Sequence, residues 1–175
     1  MKTYPNILLI RGTGRNVGKT LTACRIIGRL ARDYKPAGVK ISSHFHSLDP
    51  DERVIYHSDD LIVTEEHRIN GKDSSRMLQA GAQKVFYVQA KEHALAGALD
   101  EILKFLGDRE PLVVESGGLH NYIEPGLTIF IEGPGDPKKV SIPGISRILR
   151  LTSDLALQEN WEGLTFNNGQ YSIND

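Results

Sequence analysis

The residues best equipped for chemistry lie in one short stretch, Gly12-Thr13-Gly14-Arg15-Asn16-Val17-Gly18-Lys19-Thr20. Glycines can take backbone angles closed to other residues, so successive N–H groups point into one concave site and an anion can approach the main chain. A lysine and a threonine directly after the last glycine add a point charge and a hydroxyl able to ligate a hard cation. These types in this order suit a loop that cradles phosphate, with Lys19 on the β- and γ-phosphates of a nucleotide and Thr20 on Mg²⁺. The spacing is irregular: counting back from Gly18-Lys19-Thr20, the first glycine is expected at Thr13 and stands at Gly12. The expected nucleotide-binding set is Gly12, Thr13, Gly14, Arg15, Asn16, Val17, Gly18, Lys19, Thr20 and Leu21.

Two acids complete the chemistry. Leu112-Val113-Val114 reads as a buried strand that delivers Glu115 at its C-terminal end, followed by Ser116-Gly117-Gly118. In a parallel sheet that edge is where ligands bind, and an acid there can hold Mg²⁺ or its water opposite Thr20. The glycine pair suggests close backbone approach. Asp73, in Gly71-Lys72-Asp73-Ser74, fits a helix N-cap; its alternative reading is a partner of the metal, direct or through water. The expected metal set is thus Thr20, Glu115 and Asp73. His44 and His46 would project to one side of an extended segment, compatible with a metal site or with phosphate or surface contacts, and no cysteine cluster accompanies them. Cys24, on an apolar stripe, reads as a small core residue.

The elements that must position these groups follow from periodicity. Ile7–Ile10 is strand-like, and Leu21, Cys24, Ile27 and Ala31 recur at helical spacing until Pro36. A strand over Ala37–Ile41 then completes a βαβ unit and a parallel sheet. The polar stretch 42–72 carries two short strand candidates, Val54–Tyr56 and Leu61–Val63, a hairpin for one sheet edge. Beyond a short helix closed by Gly81, a strand over Lys84–Val88 and a helix with Leu95, Leu99, Ile102 and Leu106 inward are expected. Strands over Leu127–Ile131 and Ile148–Thr152 flank a turn-rich loop, Gly133–Lys139, and Asn168-Gly169 marks a terminal β-hairpin.

The expected fold is therefore α/β, a mainly parallel sheet flanked by helices, in one domain over 1–175. Hydrophobic residues at 39%, charged residues at 25% and a net charge of −1 give no electrostatic footprint for nucleic acid or a membrane. The single cysteine excludes an internal disulfide, the N-terminus lacks a signal pattern and no apolar run reaches membrane-spanning length, so a cytoplasmic protein is expected.

With these residues placed, Gly12–Thr20, read as glycine, five residues and Gly-Lys-Thr, is similar to the loop of dethiobiotin synthetase. Gly38-Val39-Lys40 and Val114-Glu115-Ser116-Gly117-Gly118 fall where that family keeps a Gly-x-Lys strand and a Val-Glu-Gly-x-Gly segment. Over residues 5 to 132 the chain resembles more closely the MobB family, the nucleotide-binding adaptor of molybdopterin-guanine dinucleotide biosynthesis. Lys40, His44/His46, Gly71-Lys72-Asp73-Ser74, Ala80-Gly81-Ala82 and Val114-Glu115 stand in that family's order. Departures are the five-residue spacer and Ser116-Gly117-Gly118 in place of Glu-Gly-Phe, and no Asn-Lys-x-Asp guanine motif is visible.

The resemblance implies a P-loop NTPase fold with Lys19, Lys40 and Glu115 as catalytic groups. Lys40 would lie near the γ-phosphate or a second anionic ligand. It further implies Mg²⁺ with GTP or ATP, weak or partner-stimulated hydrolysis, a homodimer and a protein partner in molybdenum cofactor biosynthesis. The alternatives are an ATP-dependent synthetase of the dethiobiotin type and a non-hydrolysing switch whose 42–72 segment is ordered by nucleotide.

Overall fold

The computed structural model describes residues 1–107, 109–133 and 147–174. The apolar run near the N-terminus forms β1 (Lys2–Gly12), whose Ile7–Ile10 are fully buried because both faces of the sheet are covered. After the glycine-rich loop come α1 (Lys19–Leu30) and β2 (Ala37–Ser42), then an edge hairpin of β3 (Arg53–His57) and β4 (Leu61–Glu66). The chain continues through α2 (Asp73–Gln79), β5 (Lys84–Ala90), α3 (Leu95–Leu103), β6 (Leu112–Glu115) and β7 (Ile123–Glu132). Past the undescribed residues lie β8 (Ile148–Thr152), α4 (Ser153–Gln158), β9 (Leu164–Asn167) and β10 (Gln170–Ile173). Of the expected loop Gly133–Lys139, all but Gly133 lies outside the described residues.

The sheet has eight strands in the order β3-β4-β5-β2-β6-β1-β7-β8. Every pairing is parallel except β3 with β4 and β4 with β5. β1 and β2 are joined by α1 but are not neighbours. β6 lies between them, where its apolar Leu112-Val113-Val114 is buried on both faces. That insertion brings Glu115 level with Ile10 of β1 on one side and Lys40 of β2 on the other.

One face of the sheet packs on α3, through Leu95, Ala98, Leu99 and Ile102. The other packs on α1, α2, α4 and the β9–β10 hairpin, whose Phe166 and Tyr171 join Trp161 in the core. The hairpin turns on Asn168 and Gly169, both with positive φ (52° and 76°), as a two-residue primed turn requires. No helix among the described residues is long and apolar enough to cross a membrane.

Three local readings are corrected. The buried face of α1 is Thr22, Ala23, Ile26, Ile27 and Leu30; Leu21 is 41% exposed, and Cys24 is only partly buried. The helix stops at Leu30, and Pro36 instead precedes β2. Asp73 is not an N-cap: Lys72 occupies that position, and the Asp73 side chain reaches across to Thr20 and Lys40.

Candidate functional site

The glycine-rich loop joins the C-terminal end of β1 to the N-terminus of α1, at the strand edge where parallel sheets place ligands. Only Gly18 among its glycines uses a positive φ (94°), and Asn16 (59°) supplies a second left-handed residue, a conformation that asparagine tolerates. Gly12 is needed for space. A Cβ there would sit 2.6 Å from the Ile131 carbonyl oxygen and 2.9 Å from the Val17 side chain. Gly14 has nothing within 4 Å of its would-be Cβ, so its surroundings are open. The Gly18 carbonyl accepts the first helical hydrogen bond, from Thr22 N–H at 2.9 Å. Among the described residues no side chain caps α1, and no acid occupies its first turn, so its leading N–H groups are available to an anion.

Around that helix end four polar side chains converge. The Thr20 hydroxyl lies 2.7 Å from Glu115 Oε2 and 3.2 Å from Asp73 Oδ2. Lys40 Nζ bonds Glu115 Oε1, lies 3.4 Å from Asp73 Oδ2, and donates to Thr20 Oγ1 at 3.5 Å. Glu115 is only 3% exposed, so its negative charge is tolerated through the Lys40 ammonium and the Thr20 hydroxyl. Lys19 Nζ folds back onto the Gly14 carbonyl. Burial pulls the Lys19 ammonium below the ordinary lysine range and Lys40 adds to this, while Glu115 and Asp73 oppose it. Arg15, at the loop's crest, contacts His44 Nε2 at 2.8 Å and ties the loop to the segment after β2.

These groups border an open cavity of about 580 Å³ lined by Arg15, Asn16, Gly18, Lys19, Thr20, Leu21, Lys40, Asp73, Arg76 and Glu115. Four residues of the expected nucleotide-binding set stand apart from it. Thr13 is tied to β7, its N–H donating to Ile131 O at 3.1 Å and its hydroxyl accepting from Gly133 N–H at 2.9 Å. Val17 is buried against Gly12 and Gly133, so Gly12, Thr13 and Val17 tie the loop to β7, while Gly14 is exposed and meets Lys19 Nζ through its carbonyl. The expected metal set, Thr20, Glu115 and Asp73, is brought together. Of the glycine pair after Glu115, Gly118 packs closely, a Cβ there falling 3.2 Å from the Leu95 side chain, while Gly117 has open surroundings.

Among the described residues no group of three or more His, Cys, Asp or Glu is arranged to hold a metal, and the His44 ring is engaged by Arg15. Two carboxylates and one hydroxyl are instead the partial oxygen shell that Mg²⁺ accepts when phosphate oxygens and water supply the rest. The donor set fits that ion, with Lys40 as the resident positive charge between the same carboxylates.

Arg76 escaped the sequence reading. It sits one turn after Asp73 on α2, its guanidinium 3.5 Å from Asp73 Oδ1, and it faces the cavity. The i, i+3 spacing from Asp73 was the available signal. Comparison of the chain with protein-family models, curated proteins and solved structures finds no match.

Proposed function

We propose that this protein is a Mg²⁺-dependent nucleoside triphosphate-binding protein of the P-loop kind with weak or partner-stimulated hydrolysis. The observation that carries the reading is the convergence of Thr20, Glu115, Asp73 and Lys40 beside Lys19 at an uncapped helix N-terminus. In this account the N–H groups at the start of α1 and Lys19 hold the phosphates, and Thr20, Glu115 and Asp73 hold Mg²⁺. When bound, the ion would supply charge neutralisation at the terminal phosphates, and Lys40 and Arg76 add positive charge at the same end. The order of motifs from Gly12 to Glu115 supports a MobB-like adaptor role in molybdenum cofactor biosynthesis, with GTP or ATP as the nucleotide and a homodimer as the working form.

Titration calorimetry with Mg–GTP and Mg–ATP tests the reading. Saturable binding is expected, weakened at least about tenfold, or ~1.4 kcal/mol, by Lys19→Ala. Undiminished affinity in that variant would place the nucleotide elsewhere.

A further inference from the structure

A second cleft, of about 440 Å³, adjoins the first and shares Lys40 and Asp73 with it. Its floor follows from strand alternation. On β2 and β5 the positions facing α1 and α2 begin apolar or small, at Gly38 and Val85, and turn polar toward the C-terminal edge. Lys40 pairs with Tyr87 there, and Ser42 with Gln89, so four polar side chains tile a surface that a wholly structural sheet would keep apolar. One wall is the start of α2, Lys72–Ser74; the other is the segment carrying His46, Ser47 and Glu52. That segment is held down by the His46 N–H bonded to the buried Gln89 side-chain oxygen.

Position and chemistry together narrow what the cleft can hold. The shared residues belong to the metal end of the first cavity, so the second cleft opens where a terminal phosphoryl group would lie. Hydrolysis there requires one water, whose share of liquid volume is about 30 Å³. The cleft is instead the size of a small-molecule site. Both of its lysines are already matched by carboxylates: Lys40 by Glu115 and Asp73, Lys72 by Asp49 at 3.3 Å and Glu52 at 3.2 Å. A polyanionic guest would have to displace those partners. The Tyr87 and Ser47 hydroxyls and the His46 ring, all lining the cleft, make no hydrogen bond to another described residue, and the half-buried Tyr87 ring adds apolar surface.

We propose that the protein transfers the terminal phosphoryl group of its nucleotide to a small, uncharged, hydroxyl-bearing molecule of nucleoside or sugar type held in this cleft. The inference rests on the Mg²⁺–nucleotide site argued above. In the step, an acceptor hydroxyl oxygen forms a bond to the γ-phosphorus and the bond from that phosphorus to the β,γ-bridging oxygen breaks. The nucleoside diphosphate leaves with the electron pair, and the hydroxyl proton passes to water in the open cleft.

The test incubates the full-length chain with Mg–ATP or Mg–GTP and, in turn, adenosine, cytidine, ribose, glycerol, citrate and glycerate, followed by ³¹P NMR. The expected result is a new phosphate monoester with at least one neutral compound, formed mole for mole with diphosphate and at ten times the rate of orthophosphate release. Ser47→Trp, a filling substitution on an exposed segment, is expected to shift the product ratio from monoester toward orthophosphate. Tyr87→Phe is expected to raise the acceptor KM several-fold. Orthophosphate alone with every compound, or monoester with the acids only, overturns the inference while leaving the nucleotide site standing. Calorimetry on the same samples separates the two failures, since absent nucleotide binding overturns both.

Discussion

Lys40→Ala is the most informative single perturbation of the site. Its ammonium binds Glu115 Oε1, and Glu115 is 3% exposed with the Thr20 hydroxyl at 2.7 Å as its other partner. Deleting the lysine side chain leaves a buried carboxylate with a single hydroxyl donor. Breaking a buried pair from one side costs about 3–5 kcal/mol when water cannot reach the orphan. Here the cavity is open and Lys40 itself is 19% exposed, so water moderates the loss to about 2–3 kcal/mol. Glu115→Gln is expected to cost less, about 1 kcal/mol, because Lys40 keeps Asp73 at 3.4 Å, a partner half open to solvent. In urea unfolding, with a slope of about 2 kcal/mol per M, Lys40→Ala lowers the midpoint by about 1–1.5 M.

The two carboxylates also lose their resident cation, so Mg²⁺ without nucleotide should stabilise Lys40→Ala more than the unsubstituted protein. At about ten times its Kd the ion adds ~1.4 kcal/mol. A midpoint within about 0.2 M of the parent, or an equal response of both proteins to Mg²⁺, would refute the reasoning that Lys40 stands in for the metal.

Gly12→Ala places a methyl group 2.6 Å from the Ile131 carbonyl oxygen, a backbone atom held in the β1–β7 ladder, and is expected to cost about 2 kcal/mol or more in urea unfolding. His120 is held down to about 4, chiefly by burial and further by Arg11, against a hydrogen bond with the Gly117 backbone. The unfolded chain therefore takes up this proton from about pH 6.5, before the folded one does. The stability contributed is present above that pH and falls away toward pH 4, so His120→Gln should show a shallower acid slope between pH 7 and 4. Arg11 is 7% exposed, its Nε and Nη1 have no hydrogen-bond partner among the described residues, and its guanidinium shares the Phe130 ring with Arg150 at 5.2 and 5.6 Å. Arg11→Met is expected to leave stability unchanged or raise it by about 1 kcal/mol, and a loss above ~2 kcal/mol would show that the charge has a stabilising partner.

The site was legible where a short stretch carries its own geometry. Ile7–Ile10 followed by glycines and Lys19-Thr20 announces strand, turn and helix, and Leu112–Val114 announces a doubly buried strand with an acid at its end. The edge hairpin was marked by Val54–Tyr56 and Leu61–Val63, and β9–β10 by Asn168-Gly169. Strand order was not legible, because nothing local in Leu112–Glu115 says that it inserts between β1 and β2; yet that insertion sets Lys40 beside Glu115. Leu21 misled the reading of α1 because an apolar residue at a cavity mouth looks the same in sequence as one in the core. α4 was overlooked, although Thr152 caps it, accepting from Leu155 N–H at 3.3 Å. Tyr87 was hidden inside the expected strand Lys84–Val88 and Gln89 lay just past it, and only their pairing with Lys40 and Ser42 makes them a surface.

The central claim is most directly tested by thermal unfolding of the intact protein with GTP, ATP, GDP and ADP, each with Mg²⁺ and with EDTA. Nucleotide at about 100 times its Kd adds ~2.7 kcal/mol, a shift of several degrees. The account predicts that shift with a triphosphate and Mg²⁺, reduced by EDTA and cut to about half or less by Lys19→Ala. No shift with any of the four nucleotides would contradict it.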